Sequence, residues 1–102
     1  MAPRTKIIFD KTEIVVMDTS GKKAQVLNLT YEKIVSIQFD ATVVKQLFSS
    51  KPTEKITITI RGREKPLVFF KHQEASFFDE YKVGLEKFAK DNRVSFRNNL
   101  PL

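Results

Sequence analysis

The stretch LVFFKHQEASFFDEYKVGLEKFAKD, residues 67–91, decides the fold class, because a strand-like run passes directly into an amphipathic segment. Projected at about 100° per residue, the apolar side chains of residues 77–89 fall within an arc of about 140°, and the charged ones lie mostly opposite. Acidic residues gather near its start and Lys87, Lys90 and Arg93 near its end, as the helix dipole favours. The sequence therefore predicts a helix over residues 74–91 that packs one face on a core.

Two positions of this predicted helix have particular roles. A glycine inside a helix costs about 1 kcal/mol relative to alanine, and Gly84 lies at the edge of the apolar face. We expect that a strand approaches the helix closely at this point. Asn92 follows the periodic pattern and is predicted to be a left-handed C-cap.

Upstream of the helix, apolar runs alternate with short polar turns. The predicted strands cover residues 7–9, 14–17, 24–29, 35–39, 56–60 and 67–70, and residues 94–96 fit an extra edge strand before a frayed end. The polar residues 49–53 are expected to interrupt the strand pattern. Because only a few residues separate consecutive strands, we expect an essentially antiparallel sheet in a mainly β (α+β) fold.

Length and composition set the outer limits. With 102 residues, 41% hydrophobic and 29% charged, the chain fits one globular domain over residues 1–102, with a core over residues 5–91 and a tail over residues 92–102. The absence of cysteine excludes a disulfide framework, thiol catalysis and cysteine-bound zinc. The start does not resemble a signal peptide, and no apolar run approaches the roughly 20 residues of a transmembrane segment, so we expect a cytoplasmic protein.

The residues that could support catalysis are few. His72 is the only histidine, which excludes a multi-histidine metal site, and it is interpreted as a polar junction residue between strand and helix. The two close acidic pairs, Asp10 with Glu13 and Asp79 with Glu80, fit a turn and a solvated helix face. No phosphate-binding loop, dinucleotide fingerprint or nucleophile elbow is present. We therefore expect no enzyme activity, no metal and no cofactor.

The positive charge is uneven. The chain has a net charge of +6, and residues 45–65 contain six basic residues and two acidic ones, a net +4. Such a stretch could bind phosphates or an acidic protein. Alternatively, its lysines solubilise turns and protect strand edges from aggregation, which is the more frequent role of surface charge.

Residues 43–48, with the sequence VVKQLF, allow two interpretations. They form either a strand of the core or a loop in which Leu47 and Phe48 make an exposed patch flanked by Lys45 and Lys51. Such a patch would suit a protein groove or a membrane interface. We favour a core position or a contact between copies, because exposed apolar patches on monomers are uncommon.

The order of predicted elements, six or seven strands and then one C-terminal helix, resembles the pleckstrin-homology-like (PH-like) superfold. The segment LTYEKIVSI, residues 29–37, is similar to the beginning of a strand in bacterial PH-like and GRAM-type domains. The sequence FFK at residues 69–71, followed by the aromatic pair at residues 77–78, is similar as well. The resemblance covers residues 5–91 and implies an antiparallel β-barrel or sandwich of about six or seven strands, capped by a C-terminal amphipathic helix.

This resemblance includes a departure that bears on function. PH domains that bind phosphoinositides have a basic cluster on the first two strands and their connecting loop, whereas residues 10–13 here read DKTE and the next strand is apolar. Specific inositol-phosphate binding is therefore not implied, and a fold alone does not imply a function.

These observations lead us to expect a non-enzymatic, cytoplasmic, bacterial PH-like binding or adaptor module that acts through protein–protein interaction or self-association. The alternative is weak electrostatic association with an anionic membrane surface. Nucleic acid is not expected, because the aromatic residues near the basic turns lie mostly at inward strand positions and leave few stacking platforms. The candidate binding residues are Lys45, Leu47, Phe48, Lys51, Arg61, Arg63 and Lys65.

Overall fold

Alternating apolar residues build the strands of this chain, and a computed structural model describes residues 5–18, 25–45, 47–71 and 77–100. The described strands are β1 (Thr5–Phe9), β2 (Glu13–Asp18), β3 (Gln25–Thr30), β4 (Ile34–Lys45), β5 (Ser50–Ile60), β6 (Leu67–Phe70) and β7 (Ser95–Asn98), and the helix α1 (Phe78–Asn92) lies between the last two. The predicted mainly β fold with one helix near the C-terminus is confirmed.

The described strands form two sheets, one in the order β1-β2-β3 and one in the order β6-β5-β4-β7. Hydrogen-bonded pairing between described strands does not join the two sheets into a closed barrel. The expectation of an essentially antiparallel sheet is wrong at one edge, because β7 runs parallel to β4 between Ser36 and Phe39. The reason is that α1 connects β6 to β7 as a crossover helix, the kind of connection that parallel strands need.

The core lies where both sheets meet one face of α1. The buried apolar residues are Ile7, Ile14, Val16, Leu29, Ile34, Ile37, Phe39, Ile56, Ile58, Ile60, Phe69, Phe78, Tyr81, Leu85, Phe88 and Ala89. They include the predicted helix face and the alternating isoleucines of β5, so both periodicities are confirmed. Burial of each large side chain contributes about 1.5–3 kcal/mol.

The two ends of α1 differ from their predictions. The predicted start at Glu74 lies outside the described residues, and the described helix begins at Phe78. The left-handed residue is Arg93, at φ 55°, so the prediction that Asn92 is the left-handed cap is wrong. Asn92 stays helical and its Nδ2 donates to the carbonyl oxygens of Phe88, at 3.0 Å, and Lys11, at 2.8 Å. Its side chain therefore ties the helix end to the β1–β2 turn.

The residues after α1 belong to the folded domain. The ring of Phe96 packs edge-on against Phe39, with centroids 5.0 Å apart. The backbone N–H of Asn99 donates to the carbonyl of Phe39 at 2.9 Å. The extra edge strand is confirmed. Residues 98–100, expected to belong to a frayed end, are hydrogen-bonded, and residues 101–102 lie outside the described residues.

The hairpin of β4 and β5 is longer than the sequence pattern indicates. Its register continues from Ala41↔Glu54 to Lys45↔Ser50, so the expected interruption at residues 49–53 is wrong from residue 50 onward. Pairing with β4 satisfies those backbone groups of this polar segment that face β4. Pro52 fits because β6 pairs with β5 only from Lys55 to Ile58, which leaves an open edge where a missing N–H is harmless.

Candidate functional site

The distal half of the β4–β5 hairpin projects from the second sheet. Neither β6 nor β7 extends past its root, where Asp40 and Glu54 lie. Five residue steps from Asp40 to Lys45, at about 3.4 Å each, extend the two strands by roughly 17 Å. We call residues 41–53 the arm.

The tip of the arm is apolar and open to solvent. Leu47 is 88% exposed and Phe48 is 94% exposed, while Val43 beside them is 58% exposed. The favoured core position for residues 43–48 is therefore wrong for the single chain. Residues 43–45 end a strand, and Leu47 and Phe48 lie in the loop beyond it. The physical reason is that the covering elements end at the root of the arm.

Two lysines lie directly behind this tip. Lys45 is paired across the hairpin with Ser50, and Lys51 is paired with Val44, so the two lysines occupy neighbouring rungs. Both side chains are exposed, and residues 43–53 contain no acidic residue. Because successive side chains of a strand point to opposite faces, Lys45 and Lys51 lie on opposite faces of the hairpin, one on each side of the tip. The structure thus places four of the predicted site residues, Lys45, Leu47, Phe48 and Lys51, at the same end of the arm.

The other three predicted site residues lie elsewhere. Arg61, Arg63 and Lys65 are exposed in the turn that follows β5, at the opposite end of that strand from the tip. Since β5 has 11 residues, its two ends lie roughly 34 Å apart. Arg61 is held locally, with its Nε donating to the carbonyl of Glu32 at 3.3 Å. The basic stretch 45–65 therefore forms two separate positive surfaces.

The root of the arm is joined to α1 by a partly buried ion pair between Glu54 and Lys82. Lys82 donates from Nζ to Glu54 Oε1 at 2.8 Å and lies 3.3 Å from Asp79 Oδ1. The same ammonium group stands 5.6 Å from the centroid of the Phe78 ring. Burial acts to lower the pKa of Lys82, but the hydrogen bonds to Glu54 and Asp79 outweigh it and leave the pKa raised.

The other strand of the arm is fastened at Asp40. The Asn99 side chain donates to Asp40 Oδ1 at 2.8 Å, and the Gln38 side chain donates to Oδ2 at 2.8 Å. The hydrogen bond from Asn99 is the main reason that the pKa of Asp40 is lowered, against an upward effect of burial. Both strands of the arm are therefore held by side-chain contacts at the root.

An apolar groove runs between β1 and α1. Among the described strands β1 pairs only with β2, and its side chains Ile7 and Phe9 point to the sheet face on which α1 lies. A cavity of about 560 Å³ is lined by Ile7, Phe9, Asp79, Glu80, Tyr81, Val83 and Gly84. A second cavity of about 420 Å³ shares Ile7, Glu80 and Tyr81 with it and adds Lys6 and Phe77. We call the two together the β1–α1 groove.

Gly84 shapes this groove. A Cβ atom built on Gly84 would lie 2.5 Å from Cε2 of Phe9, so the prediction of a close strand approach at this glycine is confirmed, and the strand is β1. The helix pattern located this contact but did not indicate the groove, because a groove depends on which strand lies opposite the helix. In the sequence, the glycine on the apolar face of the helix was the one feature that indicated the close contact beside this groove.

The acidic pairs have structural roles in the described part of the chain. Lys11 donates its N–H to the Asp10 carboxylate at 2.7 Å, and the Asp10 N–H donates to the carbonyl of Glu13 at 2.9 Å, which closes the β1–β2 turn. His72 lies outside the described residues. Within the ranges described, acidic, histidine and cysteine side chains do not gather in threes as a metal site requires. The described helix is too short and too polar to span a bilayer.

No protein-family model matches the chain, and searches of curated proteins and of solved structures likewise found no match. The arm, its root and the groove are therefore the described features from which a function can be inferred.

Proposed function

We propose that this protein is a non-enzymatic, PH-like binding module of a bacterial cytoplasm and that the arm docks it to a protein. One observation carries the proposal: Leu47 and Phe48, 88% and 94% exposed, lie at the tip of a projecting hairpin that is anchored at its root. Large exposed apolar residues on a rigid element are typical of interaction sites. Six strands followed by an amphipathic helix support the PH-like assignment, whereas β7, which follows that helix, departs from it.

The energies indicate what the partner must offer. Burying Leu47 and Phe48 contributes about 1.5–3 kcal/mol each, while association costs about 4–15 kcal/mol in lost freedom. The tip alone is therefore an anchor, and a partner must also contact the sides of the arm to approach the roughly 800 Å² per partner of a standard interface. The arm has open strand edges, whose backbone groups can pair with an added strand.

An anionic membrane surface is the second candidate, because Lys45 and Lys51 lie directly behind the apolar tip. Each basic residue near an anionic leaflet contributes about 1 kcal/mol. If the tip inserts, Arg61, Arg63 and Lys65 are too far along β5 to share that surface. Only Lys45 and Lys51, and not the whole basic stretch 45–65, would then contact the membrane. Weak binding that decreases with added salt is expected.

A comparison of variants tests the two candidates. The Leu47→Ser/Phe48→Ser variant removes the tip, and Val26→Ser is a matched control that removes an exposed valine on β3. Partners captured from a lysate of the native host by the wild type are purified, and their affinities are measured by calorimetry. We expect a loss of affinity of at least about 100-fold for the tip variant and none for the control.

The same proteins are tested for co-sedimentation with vesicles of phosphatidylserine and phosphatidylcholine at low and physiological salt. Wild-type binding that is present at low salt, weakens at physiological salt and is lost in the tip variant favours the membrane candidate. A purified protein partner that binds the tip variant as tightly as the wild type contradicts the role of the arm.

A further inference from the structure

The described surface has two apolar features of opposite shape. The arm tip is convex, with apolar Leu47 and Phe48 in front of Lys45 and Lys51. The β1–α1 groove is concave and mainly apolar, and Lys6, Asp79 and Glu80 also line it, with Asp79 already 3.3 Å from Lys82 and 3.9 Å from Lys71. Glu80 is exposed and forms no ion pair with a described residue, so it can meet a lysine from outside.

We propose that the arm tip of one copy binds the β1–α1 groove of a second copy, and that the two copies exchange arms reciprocally in a two-fold dimer. The inference rests on the proposed function of the arm as a docking element and names its partner. Leu47 and Phe48 fill the groove, while one of the two lysines behind the tip approaches Glu80.

The dimensions of the groove fit this occupant. Its two cavities, of about 560 and 420 Å³, are open to solvent and are large enough to receive apolar side chains from outside. A phenylalanine side chain supplies about 150–250 Å² of apolar contact. Val83, 71% exposed on the helix wall of the groove, is the apolar surface that such a contact would cover.

The arm cannot serve its own groove in this structure. Its root is held by the Glu54–Lys82 pair and by the Asp40–Asn99 hydrogen bond, and its tip stays solvent-exposed. Contact between tip and groove therefore requires two molecules. Two-fold exchange closes the assembly with both tips and both grooves used, whereas a one-way contact would leave an open chain.

The root of the arm lies close to the groove, which favours a reciprocal exchange of arms. Lys82 bridges Glu54 at the root and Asp79 on the rim of the groove, so root and groove are neighbours on α1. A two-fold axis beside this bridge lets each arm cross directly to the partner's groove. The net charge of +6 per copy opposes association, and a contact between a tip lysine and Glu80 offsets part of that repulsion.

Light scattering and sedimentation velocity over a range of concentrations measure the dimer. The tip variant is Leu47→Ser/Phe48→Ser, the groove variant is Glu80→Lys/Val83→Lys, and Val26→Ser is the control. We expect a wild-type dimer, a control that matches it, and at least 10-fold weaker association in the tip and groove variants, each with an unchanged circular dichroism spectrum. A wild type that stays monomeric at every concentration overturns the inference, while the partner test above still decides the proposed function.

Mixing separates this arrangement from a contact between two tips. The groove variant retains an intact tip and the tip variant retains an intact groove, so an equimolar mixture should form a one-to-one heterodimer through a single contact. A contact between two tips predicts no heterodimer. Dimerisation that is lost in the tip variant but unchanged in the groove variant also overturns the groove as the receptor.

Cross-linking tests the contact without a disruptive charge. The chain has no cysteine, so introduced thiols are unique. Phe48→Cys protein mixed with Val83→Cys protein should form a disulfide-linked heterodimer under mild oxidation, and Val26→Cys protein should replace neither partner. Failure of the Phe48→Cys and Val83→Cys proteins to cross-link under conditions where the wild type is dimeric contradicts the proposal.

Discussion

The two halves of the β4–β5 hairpin have the same backbone structure and opposite surroundings. In the proximal half, Ile37 pairs with Ile58 and both are fully buried. In the distal half, Val43 pairs with Pro52 and is more than half exposed. Hydrogen bonding between strands thus extends the hairpin well beyond the core. Burial depends on β6, β7 and α1, which cover only the proximal half.

The proximal half of the hairpin therefore contributes to the stability of the fold, whereas the distal half is available for interaction. Apolar residues of the proximal half exclude water and stabilise the fold. Apolar residues of the arm contact solvent in the single chain and are available to a partner. Equivalent substitutions in the two halves should therefore have opposite consequences.

The largest effect is expected from a carboxylate placed in each half. Ile58→Asp should abolish folding, because an unpaired charge at a fully buried site costs more than a small domain can supply. Val43→Asp should fold, with a loss of no more than about 1 kcal/mol from lower strand propensity. Two-dimensional NMR spectra distinguish the outcomes. Unfolding of the Val43→Asp protein would show that the arm is part of the cooperative core.

Truncation of one phenylalanine in each region comes next. Phe88→Ala should lower the free energy of unfolding by about 3–5 kcal/mol, since the ring is buried on the inner face of α1. Phe48→Ala should change it by no more than about 0.5 kcal/mol. Urea melts measure both, with Glu86→Ala as a helix-surface control. Equal losses for the two phenylalanine variants would contradict the contrast between core and arm.

A smaller effect is expected at the contact between β1 and α1. Gly84→Ala gains about 1 kcal/mol in helix propensity, but crowding against Phe9 costs about 1–3 kcal/mol. We expect net destabilisation of about 1 kcal/mol, reversed to a gain when Phe9→Ala is also present. A double-mutant cycle in urea isolates the coupling between the two sites. Stabilisation by Gly84→Ala in the wild-type background would show that Phe9 moves aside freely.

The smallest effect concerns the root of the arm. The lowered pKa of Asp40 means that its contribution to stability is fully present above the ordinary value of 3.8 and is lost as pH falls through the lower folded pKa. Asn99→Ala removes the main cause, so the pKa of Asp40 should rise and the acid-dependent part of stability below about pH 4 should shrink. Carboxyl NMR titration measures the pKa, with Asn28→Ala as the control. An unchanged pKa of Asp40 in the Asn99→Ala protein would show that Asn99 does not help to hold β4 through Asp40.

Much of the core could be predicted from local periodicity. The helix face around Leu85 and Phe88 and the alternation of Ile56, Ile58 and Ile60 follow from repeats of 3.6 and 2 residues, which require no knowledge of distant partners. The role of Gly84 was predictable for the same reason, because an unfavourable residue on a buried face implies a close neighbour. These features were encoded by the order of neighbouring residues.

Only the tertiary structure decided the arm, the parallel edge strand and the groove. Residues 43–48 have an apolar composition that suits a core strand as well as a loop, and their exposure depends on where β6 and β7 end. The basic stretch 45–65 was continuous in sequence, yet an extended strand separates its two ends by roughly 34 Å. Local pattern determines which face of an element is apolar, whereas contacts between elements far apart in the chain determine whether that face is covered.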